Sequence, residues 1–114
     1  MSMKLTTREV GGVSIVDLSG KITLGEGGVA LRDEVRKLVA AGKKKIVLNL
    51  AEVNYIDSSG LGELVSAYTA VKNAGGELKL LNLTSKVRDL LVITKLVTVF
   101  DVKDDEASAV SSFA

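Results

Sequence analysis

The chain contains no cysteine, no histidine and no tryptophan, and each absence excludes a class of site. Without cysteine there is neither a disulfide framework nor a thiolate nucleophile, and without histidine the commonest metal ligand and the usual general base are missing. Two Phe and two Tyr leave few side chains that could stack on nucleic-acid bases. Because most familiar catalytic constellations are excluded, we expect that the chain is not an enzyme.

The charge shows no excess of one sign, since 15 basic residues face 14 acidic ones and the formal net charge is +1. This balance gives no electrostatic reason to expect direct binding of nucleic acid or of an anionic membrane. The first residues lack the apolar core of a signal peptide, and no apolar run is long enough to span a bilayer. We therefore expect a single cytoplasmic domain that comprises residues 1–114.

Short β-prone and helical segments alternate in the order ββαβαβαβα. The glycine pair between the runs 5–10 and 13–18 predicts a β-hairpin, and Gly20 is expected to end the second strand. Strand-helix-strand repeats then imply right-handed crossovers and parallel pairing. The sequence thus predicts an α/β fold with a mixed, partly parallel five-stranded sheet packed against about four helices. The remaining predicted elements are helix 29–41, strand 46–50, helix 59–74, strand 77–83, a short helix capped by Ser85, strand 97–102 and a final helix from 104 with Ala107, Val110 and Phe113 inward.

The segment 54–62 joins the central strand to the second helix. Asp57, Ser58 and Ser59 are all good N-cap residues, and a helix start gathers unpaired N–H groups and partial positive charge that suit an anion. A phosphoryl group on Ser58 would add about −1.5 to −2 charges there, beside the carboxylate of Asp57. That surface would become strongly anionic while the fold stays intact. The alternative is that these residues only cap the helix and that Gly60 only serves packing, and the residues alone leave both interpretations open.

Other chemistry finds little support in the sequence. The glycines of residues 25–28 and the pair Gly60 and Gly62 do not match a phosphate-binding loop, so a surface loop and a closely approached helix start are favoured. Ser58 has no histidine to act as its base, and the G-x-S-x-G pattern is absent. No EF-hand spacing occurs. We expect no catalytic residue, no metal and no cofactor.

The run 46–50 followed by the turn Asp57-Ser58-Ser59-Gly60-Leu61-Gly62 resembles the bacterial anti-sigma factor antagonists of the STAS-domain family. The similarity extends over nearly the whole chain, including Gly20 and the pair Gly75-Gly76. The D-S-[ST]-G-[LIV]-G turn is its specific part, whereas the other matches are apolar patterning.

This resemblance implies a STAS fold and a role in partner switching, which controls transcription. In the family, a kinase-type anti-sigma factor binds either its sigma factor or the unphosphorylated antagonist. It also phosphorylates the first serine of the turn, which releases the antagonist, and a PP2C-type phosphatase reverses the modification. Carried onto this chain, the phosphoacceptor is Ser58, and Asp57, Ser59 and Gly60 complete the switch motif. ATP would be supplied by the partner kinase, so the chain itself needs no cofactor.

The resemblance also implies a partner interface around the turn. Family members often carry an acidic residue three positions after the glycine near the end of the second strand, but this chain has Thr23 there, followed by a glycine-rich loop. The chain therefore departs from the family pattern at residues that would contact the partner, and this departure bears on which partner it binds. The alternative function is an unphosphorylated STAS scaffold in a larger signalling or transport-associated assembly, and a third is the sensing of a small molecule or nucleotide. A monomer is favoured. The expected interface consists of Thr23, Gly25, Glu26, Leu61, Gly62, Glu63 and Ser66.

Overall fold

The computed structural model describes residues 3–24 and 27–113 of the chain. A short 3₁₀ turn, Leu96–Thr98, precedes the last strand. No helix in these two ranges is long and apolar enough to cross a membrane. The elements are β1 (Lys4–Val10), β2 (Val13–Ile22), α1 (Gly28–Ala40), β3 (Lys45–Ile56), α2 (Ser58–Asn73), β4 (Glu77–Leu81), α3 (Ser85–Ile93), β5 (Asp101–Lys103) and α4 (Glu106–Ser111).

The strands form one sheet in the order β1-β2-β3-β4-β5. The hairpin β1–β2 is antiparallel, and the other three pairings are parallel. Gly11 and Gly12 both have positive φ, 56° and 81°, as a tight two-residue hairpin turn requires. The predicted mixed five-stranded sheet with four helices is confirmed.

Helices cover the two faces of the sheet unequally. Because successive side chains of a strand point to opposite faces, Leu48 of β3 faces the larger apolar cluster, which α1, α2 and α3 cover. Its neighbour Val47 faces a smaller cluster, in which Ala109 of α4 and the following Phe113 pack against Ile15. The central strand is thus buried on both faces, as its apolar sequence predicts.

The strands β2 and β3 are longer than predicted. Gly20, expected to end β2, lies inside it with φ 106°, and the pairing register with β3 shifts on both sides of this glycine. The strand continues to Ile22, which pairs with Ile56 at the end of β3. The extension brings the ends of both strands to the beginning of α2.

The C-terminal third departs most from the prediction. Residues 97–102 do not form one strand, because Leu96 and Val97 pack against the larger cluster from a 3₁₀ turn that follows Lys95, whose φ is 64°. Only Asp101–Lys103 is a strand. Buried Phe100 meets the ring of Tyr68 edge to face at 5.5 Å between centroids.

Two expected helix details in the same region were wrong. Thr84, not Ser85, is the N-cap of α3, since its hydroxyl accepts a hydrogen bond from the Val87 N–H. In α4 the buried residue is Ala109, whereas Ala107 is exposed. Both corrections are shifts of one or two positions. The hydrophobic pattern of a sequence locates the ends of a helix only to within about this margin.

A polar network on the α4 face ties three strands to that helix. The Arg8 guanidinium donates to Asp17 and to Glu106, both at 2.6 Å, and the Asn49 amide donates to Asp17 at 2.8 Å. The hydrogen bond from Arg8 is the largest cause that holds the pKa of Asp17 below its usual value. The ionised carboxylate therefore stabilises the fold.

We predict that Asp17→Asn lowers the free energy of unfolding at pH 7 by about 1 kcal/mol, as expected for a partly exposed ion pair. A carboxylate whose folded pKa is lowered stabilises above its unfolded pKa, about 3.9, and this contribution is lost as the pH falls through the folded pKa. Urea unfolding of both proteins from pH 7 down to pH 2.5 should show the difference shrinking below pH 4. A difference independent of pH would contradict the prediction, and Asp89→Asn, at an exposed position of α3, is the control.

Candidate functional site

The turn that carries Ser58 is held at the carboxyl edge of the parallel strands. Ile22 and Ile56 end β2 and β3 side by side, and the Asp57 N–H donates to the Ile22 carbonyl oxygen at 3.3 Å. Ile56 is buried, whereas Ser58, two residues later, is exposed. The chain thus passes from core to surface within one turn.

The Asp57 carboxylate joins two elements. Asp57 has an extended backbone and is the N-cap of α2, because one of its oxygens accepts from the Gly60 N–H at 2.7 Å. Its other oxygen accepts from the Leu24 N–H at 3.2 Å. One side chain therefore fixes both the start of α2 and the beginning of the loop that follows β2.

Both serines of the turn present their side chains outside the core. Ser58 and Ser59 are exposed at the first two positions of α2. The first helical hydrogen bond runs from the Leu61 N–H to the Asp57 carbonyl oxygen at 2.9 Å, so the N–H groups of the two serines precede the ladder. These N–H groups and the helix dipole form surroundings that tolerate a phosphoryl group, while adjacent Asp57 repels it.

The two glycines of the turn have opposite surroundings. A Cβ at Gly60 would lie 1.9 Å from the Ile22 carbonyl oxygen, so only glycine lets α2 approach β2 this closely. A Cβ at Gly62 would meet nothing within 4 Å, and this glycine is exposed. Glycine inside a helix lowers the stability of the fold by up to about 1 kcal/mol relative to alanine. At position 62 no packing contact requires glycine despite this cost.

The other expected interface residues differ in placement. Thr23 is half-buried, and its backbone carbonyl oxygen accepts a hydrogen bond from the Gly28 N–H at 3.3 Å. Leu61 packs against the core, whereas Ser66 is exposed on α2. Glu63 turns toward α1, where it pairs with Arg32 at 3.3 Å. Gly25 and Glu26 lie outside the described residues.

The amphipathic pattern of α1 predicts that Arg32 points to solvent, but the structure half-buries its side chain between α1 and α2. Its Nη1 donates to Glu63, and its Nε is buried without an acceptor among the residues described. Arg32 and Arg36 line a groove between α1 and α2. In the sequence, the spacing of four residues places Arg32 and Arg36 on one face of the helix. This spacing was the signal that could have predicted a shared site for the two arginines.

A second groove lies on the other flank of the turn, between the end of β3 and α3. Its volume is about 300 Å³. Tyr55 is half exposed there, and the Lys21 ammonium lies 5.9 Å from its ring centroid. In the described part of the chain, no group of three or more acidic side chains is placed to hold a metal ion. The groove is lined by Asn54, Tyr55, Ile56, Lys86, Val87 and Leu90.

We predict opposite effects of alanine at the two glycines. Gly60→Ala should lower the free energy of unfolding by about 3 kcal/mol, because its methyl group collides with backbone. Gly62→Ala should raise it by up to about 1 kcal/mol, because it lowers the entropy of the unfolded chain at no steric cost. Urea unfolding of both variants at neutral pH measures the difference, and a destabilised Gly62→Ala would contradict it.

Comparison with known proteins connects this geometry to a family. The family model of the STAS domain matches residues 4–109. The anti-sigma-B factor antagonist of Bacillus subtilis is 36% identical over 87 residues, which cover 76% of this chain and 78% of that protein. A crystal structure of an anti-sigma factor antagonist from Mycobacterium paratuberculosis superposes with a TM-score of 0.85 at 23% identity, covering 97% of this chain and 93% of that one. The Bacillus cell fate determinant SpoIIAA in its phosphorylated form superposes with a TM-score of 0.74 at 17% identity, covering 97% and 100%.

The structural superpositions establish the fold, and the family match and the sequence identity establish kinship. Anti-sigma factor antagonists are regulatory binding proteins, so these relatives confirm the prediction that the chain is not an enzyme. The chain belongs to the STAS domain family and, within it, to the bacterial anti-sigma factor antagonists.

Proposed function

We propose that the unphosphorylated chain binds a kinase-type anti-sigma factor through the Ser58 turn, and that phosphorylation of Ser58 by this partner ends the binding. The observation that carries the proposal is the exposure of Ser58 at the first position of α2, in the family's own turn. The partner's sigma factor is freed while the antagonist occupies its place. Both proteins act in the cytoplasm, and the partner supplies the ATP.

The energetics suit a two-state switch. A phosphoryl group adds about −1.5 to −2 charges beside Asp57, at the centre of the contact surface. If the partner docks there, desolvating this charge and placing it against a surface shaped for a hydroxyl costs association energy. A loss of about 3–4 kcal/mol lowers the affinity by two to three decades. The fold tolerates the group because the positive end of the helix dipole at the start of α2 favours negative charge there.

Ser58 rather than Ser59 is the proposed acceptor because it matches the first serine of the family turn. Both side chains are exposed, so Ser59 is a matched control for the site of modification. The related fold of SpoIIAA has been solved in a phosphorylated form, which supports a phosphorylated state for this chain. A PP2C-type phosphatase would restore the binding form.

We expect incubation with the cognate anti-sigma factor and ATP to add one phosphoryl group to the parent chain and to Ser59→Ala, but none to Ser58→Ala. Intact mass and peptide mapping measure this. Ser58→Asp should bind the anti-sigma factor at least 100-fold more weakly than the parent, because it places a charge on the contact surface. A modification that survives Ser58→Ala, or a Ser58→Asp protein that binds as tightly as the parent, would contradict the proposal. A parent chain that is never modified would favour the scaffold function instead.

We predict that Gly62→Gln weakens binding of the anti-sigma factor while the fold stays at least as stable as the parent. The new side chain extends from an exposed position one turn after Ser58 and blocks a close approach of the partner. Calorimetric titration should show a loss of at least tenfold. The control is Thr69→Gln, at an exposed position farther along α2, which should bind like the parent. Equal affinities for the two variants would place Gly62 outside the interface.

A further inference from the structure

A polar groove between α1 and α2, called the α1–α2 groove below, includes Glu63 and Ser66, two residues of the expected partner interface. Its volume is about 190 Å³. Buried Val35 and Ala67 form its apolar floor. Charged and hydroxyl groups form its rim. The lining residues are Arg32, Val35, Arg36, Glu63, Ser66, Ala67 and Ala70.

The groove contains more positive charge than its own carboxylate balances. Arg32 and Arg36 face the single acid Glu63, which accepts from Nη1 of Arg32 at 3.3 Å. The Nε atom of Arg32 is buried and has no acceptor in the described ranges. Arg36 is exposed and has no ion pair or hydrogen bond with the residues described, so its charge stays available at the rim. A buried N–H of a charged group requires an acceptor, so the groove is suited to an anion.

We propose that the α1–α2 groove binds a carboxylate, and that an acidic side chain of the anti-sigma factor fills it in the complex. The second half of this inference rests on the proposed function. The groove would then hold the partner by charge at a point separate from the hydroxyl of Ser58.

The chemistry of the rim favours a carboxylate. Guanidinium groups donate from a planar fork that matches the two oxygens of a carboxylate, and the hydroxyl of Ser66 adds a donor. The groove is smaller than the roughly 300–1,000 Å³ typical of sites for whole small molecules. It therefore has room for the end of one side chain but not for a nucleotide.

The groove lies within reach of a partner that covers Ser58. Glu63 and Ser66 follow Ser58 by five and eight residues, which is about 8 and 12 Å along a helix that rises 1.5 Å per residue. A standard interface buries about 800 Å² per partner, equivalent to a disc of about 16 Å radius. One interface of ordinary size thus spans both the turn and the groove.

The first test uses the chain alone. Proton–nitrogen NMR of the arginine Nε–H groups should show a saturable shift of Arg32 when sodium acetate replaces sodium chloride at constant ionic strength. Arg36→Gln should weaken this response, whereas Lys37→Gln, an exposed cation one residue away, should leave it unchanged. Equal shifts in chloride and acetate would overturn the carboxylate site. A response to inorganic phosphate but not to acetate would overturn it too.

The second test measures affinity for the cognate anti-sigma factor by calorimetry. Arg36→Gln should lower the affinity at least tenfold, and Lys37→Gln should not, with unchanged thermal unfolding for both. If Ser58→Asp weakens binding but Arg36→Gln does not, the partner contact is wrong and the proposed function stands. If the parent chain does not bind the anti-sigma factor while acetate still shifts Arg32, the proposed function fails and the carboxylate site stands.

Discussion

The candidate site depends on one carboxylate. Asp57 accepts from the Gly60 N–H with one oxygen and from the Leu24 N–H with the other, so the start of α2 and the loop after β2 have a common anchor. Each bond is strengthened by the charge of the acceptor. Because Ser58 follows directly, the place of its backbone is fixed by a neighbour that is held from two sides.

This anchor works only because α2 lies very close to β2. The approach is set by Gly60, which leaves no room for a side chain beside the Ile22 carbonyl, and by the pairing of Ile22 with Ile56. The larger apolar cluster beneath holds the helix against the sheet. Core packing therefore determines where the serines stand, while the serines themselves contribute nothing to the core. This separation between the packed core and the exposed serines suits a residue whose charge changes, since modification at the surface leaves the packing of the core unaffected.

Much of the fold followed from the sequence. The hairpin was evident from Gly11-Gly12, the central strand from its apolar run, and the second helix from its periodicity. The errors fell where side chains pack in ways that local pattern does not encode. Leu96 and Val97 look like a strand but turn inward from a 3₁₀ segment, and Gly20 looks like a strand end but sits at a register shift.

For the site, the sequence by itself determined the turn, its two serines and the family that uses them, because these depend on residue identity and immediate order. The tertiary structure alone decided that Asp57 is the cap and that Gly62, unlike Gly60, has no packing role. It also turned Glu63 toward Arg32 and so formed the α1–α2 groove. The physical reason is that Glu63 lies 31 positions from Arg32, and Gly60 is likewise far along the chain from Ile22, so these distances are set by how helices pack on the sheet and on each other rather than by any local preference.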